Sequence, residues 1–116
     1  HPDLICDPDD PVTIKKRYSA FFGTELDDLL RQSEVGEMVI CGINTHACVR
    51  TAAIDAYQRD IRVVLAEECI ASDDNAHAQM SLSYMDGKIA RLAPVAEILA
   101  NLPPSHGAPA PLCGGV

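Results

Sequence analysis

Positive charge is scarce in this chain, and so are long apolar runs. Nine lysines and arginines stand against seventeen aspartates and glutamates, a formal net charge of -8 at pH 7. Neither a nucleic acid nor an anionic membrane surface is therefore expected as a partner. No apolar run approaches the length that crosses a bilayer, and the first residues do not form a secretory signal, so the expected location is cytoplasmic. Paired cysteines are missing too. Cys6, Cys41, Cys48, Cys69 and Cys113 include no C-x-x-C spacing, which supports neither a disulfide framework nor a zinc ribbon and leaves reduced thiols as the reading. No metal site or other cofactor is expected, and the sequence holds no internal repeat.

What is present is enough for one core. The chain has 116 residues, 47% of them hydrophobic, and is too short for two domains. Residues 39–57 organise it. An apolar, β-branched run opens at Val39, breaks at Gly42, and gives way to an alanine-rich helix with apolar positions at Val49, Ala52, Ala53 and Ala56. This reads as strand, turn and helix, with Thr45 capping the helix and Cys48 in its first turn. Free backbone N–H groups and the positive end of the helix dipole gather there, a setting that favours the nucleophilic thiolate.

Upstream, the Pro- and Asp-rich residues 1–11 read as loop, and residues 12–14 (Val-Thr-Ile) as a short strand delivering Lys15 near its carboxyl end. Residues 19–24 form a loop. Thr24 then caps a helix over residues 25–32 that places Leu26, Leu29 and Leu30 on one face. Downstream, residues 62–67 suit a strand buried on both faces, and Ser72, Asp73 and Asp74 announce a helix over residues 75–85. A shorter strand is expected at residues 88–92, followed by a helix from Pro94 to about Asn101. Residues 1–102 thus form the domain, and residues 103–116 a Pro/Gly-rich tail expected to be disordered or extended.

The alternation predicts a three-layer α/β fold with a mainly parallel sheet and right-handed crossovers. Sites in such sheets form at the carboxyl ends of strands, where both Lys15 and Cys48 fall. Cys41 and Cys69 lie in strand-like runs and read as small buried hydrophobes. His46, two residues before Cys48, reads as a side chain at the pocket edge rather than a metal ligand, because no second ligand pair is visible. His77 and His106 have ordinary places on a helix surface and in the tail. Tyr18 and Phe21 either line a substrate pocket or join the core.

The wording around two of these residues is also familiar. Gly42-Ile43-Asn44-Thr45-His46-Ala47-Cys48-Val49, with Thr51-Ala52-Ala53-Ile54-Asp55-Ala56 after it, resembles the nucleophile motif of the isochorismatase-like cysteine hydrolases. That family includes nicotinamidases, N-carbamoylsarcosine amidohydrolases and ureidoacrylate hydrolases. Lys15-Lys16-Arg17-Tyr18-Ser19-Ala20-Phe21-Phe22-Gly23-Thr24 is similar to the segment with the family's catalytic lysine, and the likeness runs from about Val12 to about Val95. The resemblance implies the isochorismatase-like variant of the three-layer fold. It further implies Cys48 as nucleophile, Lys15 rather than Lys16 as the catalytic cation, and the backbone N–H groups of Asn44 and Cys48 as the oxyanion hole. A cis peptide at Ile43–Asn44 is implied as well.

The reaction so implied is hydrolysis of a C–N bond in a small amide, carbamoyl or ureido compound through a thioester, by a homo-oligomer. Retention of Cys48 disfavours the isochorismate vinyl ether as substrate, because that reaction needs no thiol. The family's third catalytic residue is an aspartate in an Asp-x-Gln motif, and none occurs here. The first strands, the aspartate and the ligands of metal-binding relatives are expected before His1. Two other readings stand beside the hydrolase: a catalytically incomplete fragment or non-catalytic interaction module of the same fold, and a redox or metal-binding thiol protein.

Overall fold

The computed structural model describes residues 1–103. The expectation for the tail, with Cys113 and His106, lies outside them except at Pro103. Helix α1 (Leu26–Gln32) precedes strand β1 (Glu37–Ile43), after which a π-helical turn (Thr45–Val49) runs directly into α2 (Arg50–Tyr57). Strand β2 (Arg62–Ala71), helix α3 (Asn75–Met85), strand β3 (Arg91–Ala93) and helix α4 (Val95–Asn101) complete the order. None of these helices is long and apolar enough to cross a membrane.

The sheet runs β1-β2-β3 with both pairs parallel, as the alternation of elements requires. Its two faces divide the core. Successive residues of a strand point to opposite sides, so Val63 and Leu65 enter a cluster with Ile40, Leu30 of α1 and Ala52, Ala53 and Ala56 of α2. Val64 and Ala66 point the other way and meet Ala93 and Ile98 of α4. Alanine on α2 lets that helix lie close to the sheet. The result is the three-layer α/β arrangement.

Helices α3 and α4 begin where their signals stand. Asp74 accepts the His77 N–H at 2.9 Å and caps α3, and Pro94 precedes α4. Other expectations need correction. Residues 12–14 form no strand, and Val12 and Ile14 are exposed. β-propensity cannot make a strand without a neighbour to complete its ladder. Gly42 does not end β1; with φ of 135° it carries the chain past a register shift, so that Ile40 pairs with Leu65 but Gly42 with Ile70. The same irregularity lengthens β2 to Ala71. The last strand sits at Arg91–Ala93 because residues 86–90 turn back on Met85 first: the N–H groups of Lys88, Ile89 and Ala90 all donate to its carbonyl.

Cys41 and Cys69 are exposed rather than buried. The helix α4 covers the β2–β3 part of its sheet face, whereas on β1 the side chains Val39, Cys41 and Ile43 stay open.

Candidate active site

The turn that carries Cys48 is held by three consecutive residues. The Thr45 hydroxyl donates to the Ala71 carbonyl at 3.1 Å, His46 Nδ1 lies 2.5 Å from Ser72 Oγ, and the Asp73 N–H donates to Asn44 Oδ1 at 3.2 Å. Each bond reaches the segment that leaves β2 for α3. Thr45 is therefore not a helix cap. Its hydroxyl is taken by Ala71, and Asn44 occupies the cap position without a side-chain cap bond. The Asn44 carbonyl accepts the N–H groups of Ala47 at 3.1 Å and Val49 at 3.2 Å, which closes the wide π turn, and Val49 anchors it in the core.

Cys48 is half-buried beyond the carboxyl end of β1, and Lys15 Nζ is 3.5 Å from its Sγ. The same ammonium donates to the carbonyls of Arg17 at 3.1 Å and Tyr18 at 3.3 Å. The lysine segment thus curls around its own side chain and presents the cation to the thiol. Lys16 is exposed, and its carbonyl accepts from the Arg17 guanidinium. The peptide bond Ile43–Asn44 is cis.

The lysine segment is fastened to α2 by a bond that sequence reading missed. The Ser19 hydroxyl donates to Asp55 Oδ2 and accepts the Phe21 N–H at 3.1 Å. Arg59 completes the clamp: it donates to the Asp55 carbonyl at 2.9 Å, pairs with Asp27 of α1 at 3.4 Å, and lies 4.6 Å from the Phe21 ring centre. Both Ser19 and Asp55 lie inside the familiar motifs. An acid on a helix whose neighbouring positions are alanine and isoleucine was the signal that could have pointed to it.

The remaining candidates separate. Phe21 is buried in the main core under Arg59, the second of the two places expected for it. Tyr18 is exposed and borders an open cavity of about 390 Å³ with Arg17, Phe22, Thr51 and Ile54. His46 faces the start of α3, its ring 5.8 Å from that of His77. A larger cavity of about 530 Å³ lies at the amino ends of the strands, around Glu37, Arg62 and Arg91, away from Cys48. Among the described residues no group of three or more His, Cys, Asp and Glu side chains is placed to hold a metal ion, so these residues do not by themselves fit one.

Among the described residues, three groups are shifted from their ordinary ranges. The His77 N–H bond at the α3 cap, assisted by the nearby His77 and His46 rings, outweighs desolvation and holds Asp74 below the usual carboxylate value. Desolvation pushes Asp27 up, but Arg31 and Arg59 together outweigh it and leave its carboxyl lowered. Desolvation of its sulfur, followed by the neighbouring Cys69 thiol, pushes the Cys41 thiol up.

Fold and site together define a parallel α/β domain with a thiol and an ammonium in contact past the carboxyl end of its sheet. The sequence model of the isochorismatase domain matches residues 1–98, and the chain belongs to the isochorismatase family. It is 35% identical over 97 residues to a phenazine biosynthesis protein of Pseudomonas aeruginosa, which covers 84% of this chain and 47% of that protein. Among solved structures, a nicotinamidase from Bacillus subtilis superposes with a TM-score of 0.67 at 34% identity, covering 70% of this chain and 45% of the other. An isochorismatase-like hydrolase from Alkaliphilus metalliredigens gives a TM-score of 0.80 at 25% identity, with coverage of 86% and 54%. The chain thus spans about half the length of these relatives.

Proposed function

We propose that this chain carries the cysteine–lysine part of a hydrolase that cleaves C–N bonds in small amide, carbamoyl or ureido compounds. The observation that carries the reading is the 3.5 Å contact between Lys15 Nζ and Cys48 Sγ. A unit-charge pair at such a distance attracts by about 1 kcal/mol in bulk water and by several times that where solvent is displaced. Lys15 therefore sets a positive charge against the sulfur proposed to attack. The likeness to a nicotinamidase structure supports an amide as substrate.

In the proposed reaction the Cys48 thiolate attacks the carbonyl carbon and forms a C–S bond. The carbonyl electron pair moves to oxygen, where the N–H groups of Asn44 and Cys48 and the Lys15 ammonium receive the developing charge. When the pair returns, the C–N bond breaks and the nitrogen leaves with a proton as ammonia or an amine. Water then adds to the thioester, releasing the carboxylic or carbamic acid and regenerating the thiol. The acceptor of the thiol proton, which the family resemblance places in an Asp-x-Gln motif absent from these 116 residues, is proposed to belong to the half of the relatives' length that this chain does not span.

The test is incubation with small primary amides, N-carbamoyl amines and ureido compounds, followed by acid quench and peptide mass spectrometry. The expected result is an acyl adduct on Cys48 and, in Cys48→Ser or Lys15→Met, a fall in nitrogen release of about 100-fold or more. Undiminished turnover by Cys48→Ser would contradict the proposal. The exposed strip Val39, Cys41 and Ile43 favours the second reading, an interaction module, which requires that Cys48→Ser leave its function intact.

A further inference from the structure

Lys15 stands on irregular backbone with no sheet ladder on either side, so its aim at Cys48 needs another cause. The ammonium's bonds to the Arg17 and Tyr18 carbonyls shape residues 15–18 locally but do not fix that loop to the rest of the molecule. The next residue does. Ser19 is buried, and because its lone pair receives the Phe21 N–H, its single O–H is left for Asp55 Oδ2. The other carboxylate oxygen of Asp55 faces Gln58 Nε2 at 3.5 Å and Arg59 Nη1 at 3.8 Å, so the acceptor is held in place by its own helix.

The dimensions agree with this arrangement. Cys48 and Asp55 are seven residues apart on one helical run, which at the helical rise is about 10 Å. Lys15 and Ser19 are four residues apart and can span at most about 14 Å. The loop is thus pinned to the same helix at both ends, by Lys15 on Cys48 and by Ser19 on Asp55.

We propose that Asp55 is a positioning residue: through Ser19 it registers the lysine loop on α2, so that the Lys15 ammonium meets the Cys48 sulfur. This rests on the reading of Lys15 as the group that activates Cys48. Asp55 touches no reacting atom. Its removal should therefore act only through Lys15.

The experiment measures iodoacetamide alkylation of Cys48 by peptide mass spectrometry, from neutral to strongly alkaline pH, in five forms beside the wild type. Lys15→Met should slow alkylation near neutral pH by about tenfold, and Asp55→Ala and Ser19→Ala should each slow it by about threefold or more. Asp55→Asn keeps a carbonyl oxygen for Ser19 and should regain most of the wild-type rate. The double variant Lys15→Met/Asp55→Ala should be no slower than Lys15→Met alone. In every case the deficit should vanish at strongly alkaline pH, where all thiols are ionised; lost packing would not produce that pattern. Alanine is at home in this alanine-rich helix, so Asp55→Ala should stay folded. A wild-type rate in Asp55→Ala beside a slowed Lys15→Met overturns the positioning role and leaves the nucleophile reading standing. A double variant slower than Lys15→Met also overturns it. A wild-type rate in Lys15→Met overturns both.

Discussion

Cys48 is less exposed than Cys6, Cys41 and Cys69, yet it alone among these has an ammonium in contact with its sulfur. Exposure and electrostatics therefore give opposite orders of reactivity. Replacing Lys15 by arginine separates charge from shape, because a planar guanidinium cannot enter the same ring of carbonyls as a compact ammonium. Lys15→Arg is expected to leave turnover at least about tenfold below wild type. Recovery of the full rate would show that charge alone suffices. The approach of Lys15 to Cys48 was legible in the sequence, because each stands in a long motif with neighbours of the right kind. The Ser19–Asp55 bond was not. Two polar residues thirty-six positions apart reveal their pairing only when the chain folds.

At the scale of elements, helix α3 offers the clearest stability test. The Asp74 carboxylate caps it, and Asp74→Ala should lower the melting temperature by several degrees. An unchanged melting temperature would show that the cap bond contributes nothing net. The pH dependence follows from the lowered folded-state pKa. Protons bind Asp74 more readily in the unfolded chain, so its contribution is fully present above the ordinary carboxylate range and is lost as pH falls through the depressed value. The difference between wild type and Asp74→Ala should therefore shrink in acid. Elements with a local start signal were the most readable: α3 falls at the expected residues, and α4 begins at Val95, one residue after the expected Pro94. Those that depend on a partner were not: residues 12–14 have strand composition without a ladder, and the Thr45 hydroxyl bonds across to Ala71 instead of capping.

At the scale of the whole molecule, the parallel sheet and its two core clusters follow from alternation of strand and helix and could be anticipated. The uncovered side of β1 could not, since period alone does not say which face a helix reaches. Val39 and Ile43 are 44% and 64% exposed there, on a strand whose outer edge has no partner among the described residues. Such strips promote association between copies. Sedimentation velocity is expected to show a concentration-dependent increase in mass, weakened by Val39→Lys; a monomer at all concentrations would contradict this. The central claim, that the fold brings a lysine ammonium to Cys48 and makes that thiol the reactive one, is tested most directly by competitive labelling. The folded chain is treated with substoichiometric iodoacetamide near neutral pH, and every cysteine peptide is quantified. The account predicts that Cys48 is alkylated several-fold faster than Cys6, Cys41 and Cys69 despite its lower exposure. Labelling that follows exposure, with Cys48 the slowest of the four, would contradict it.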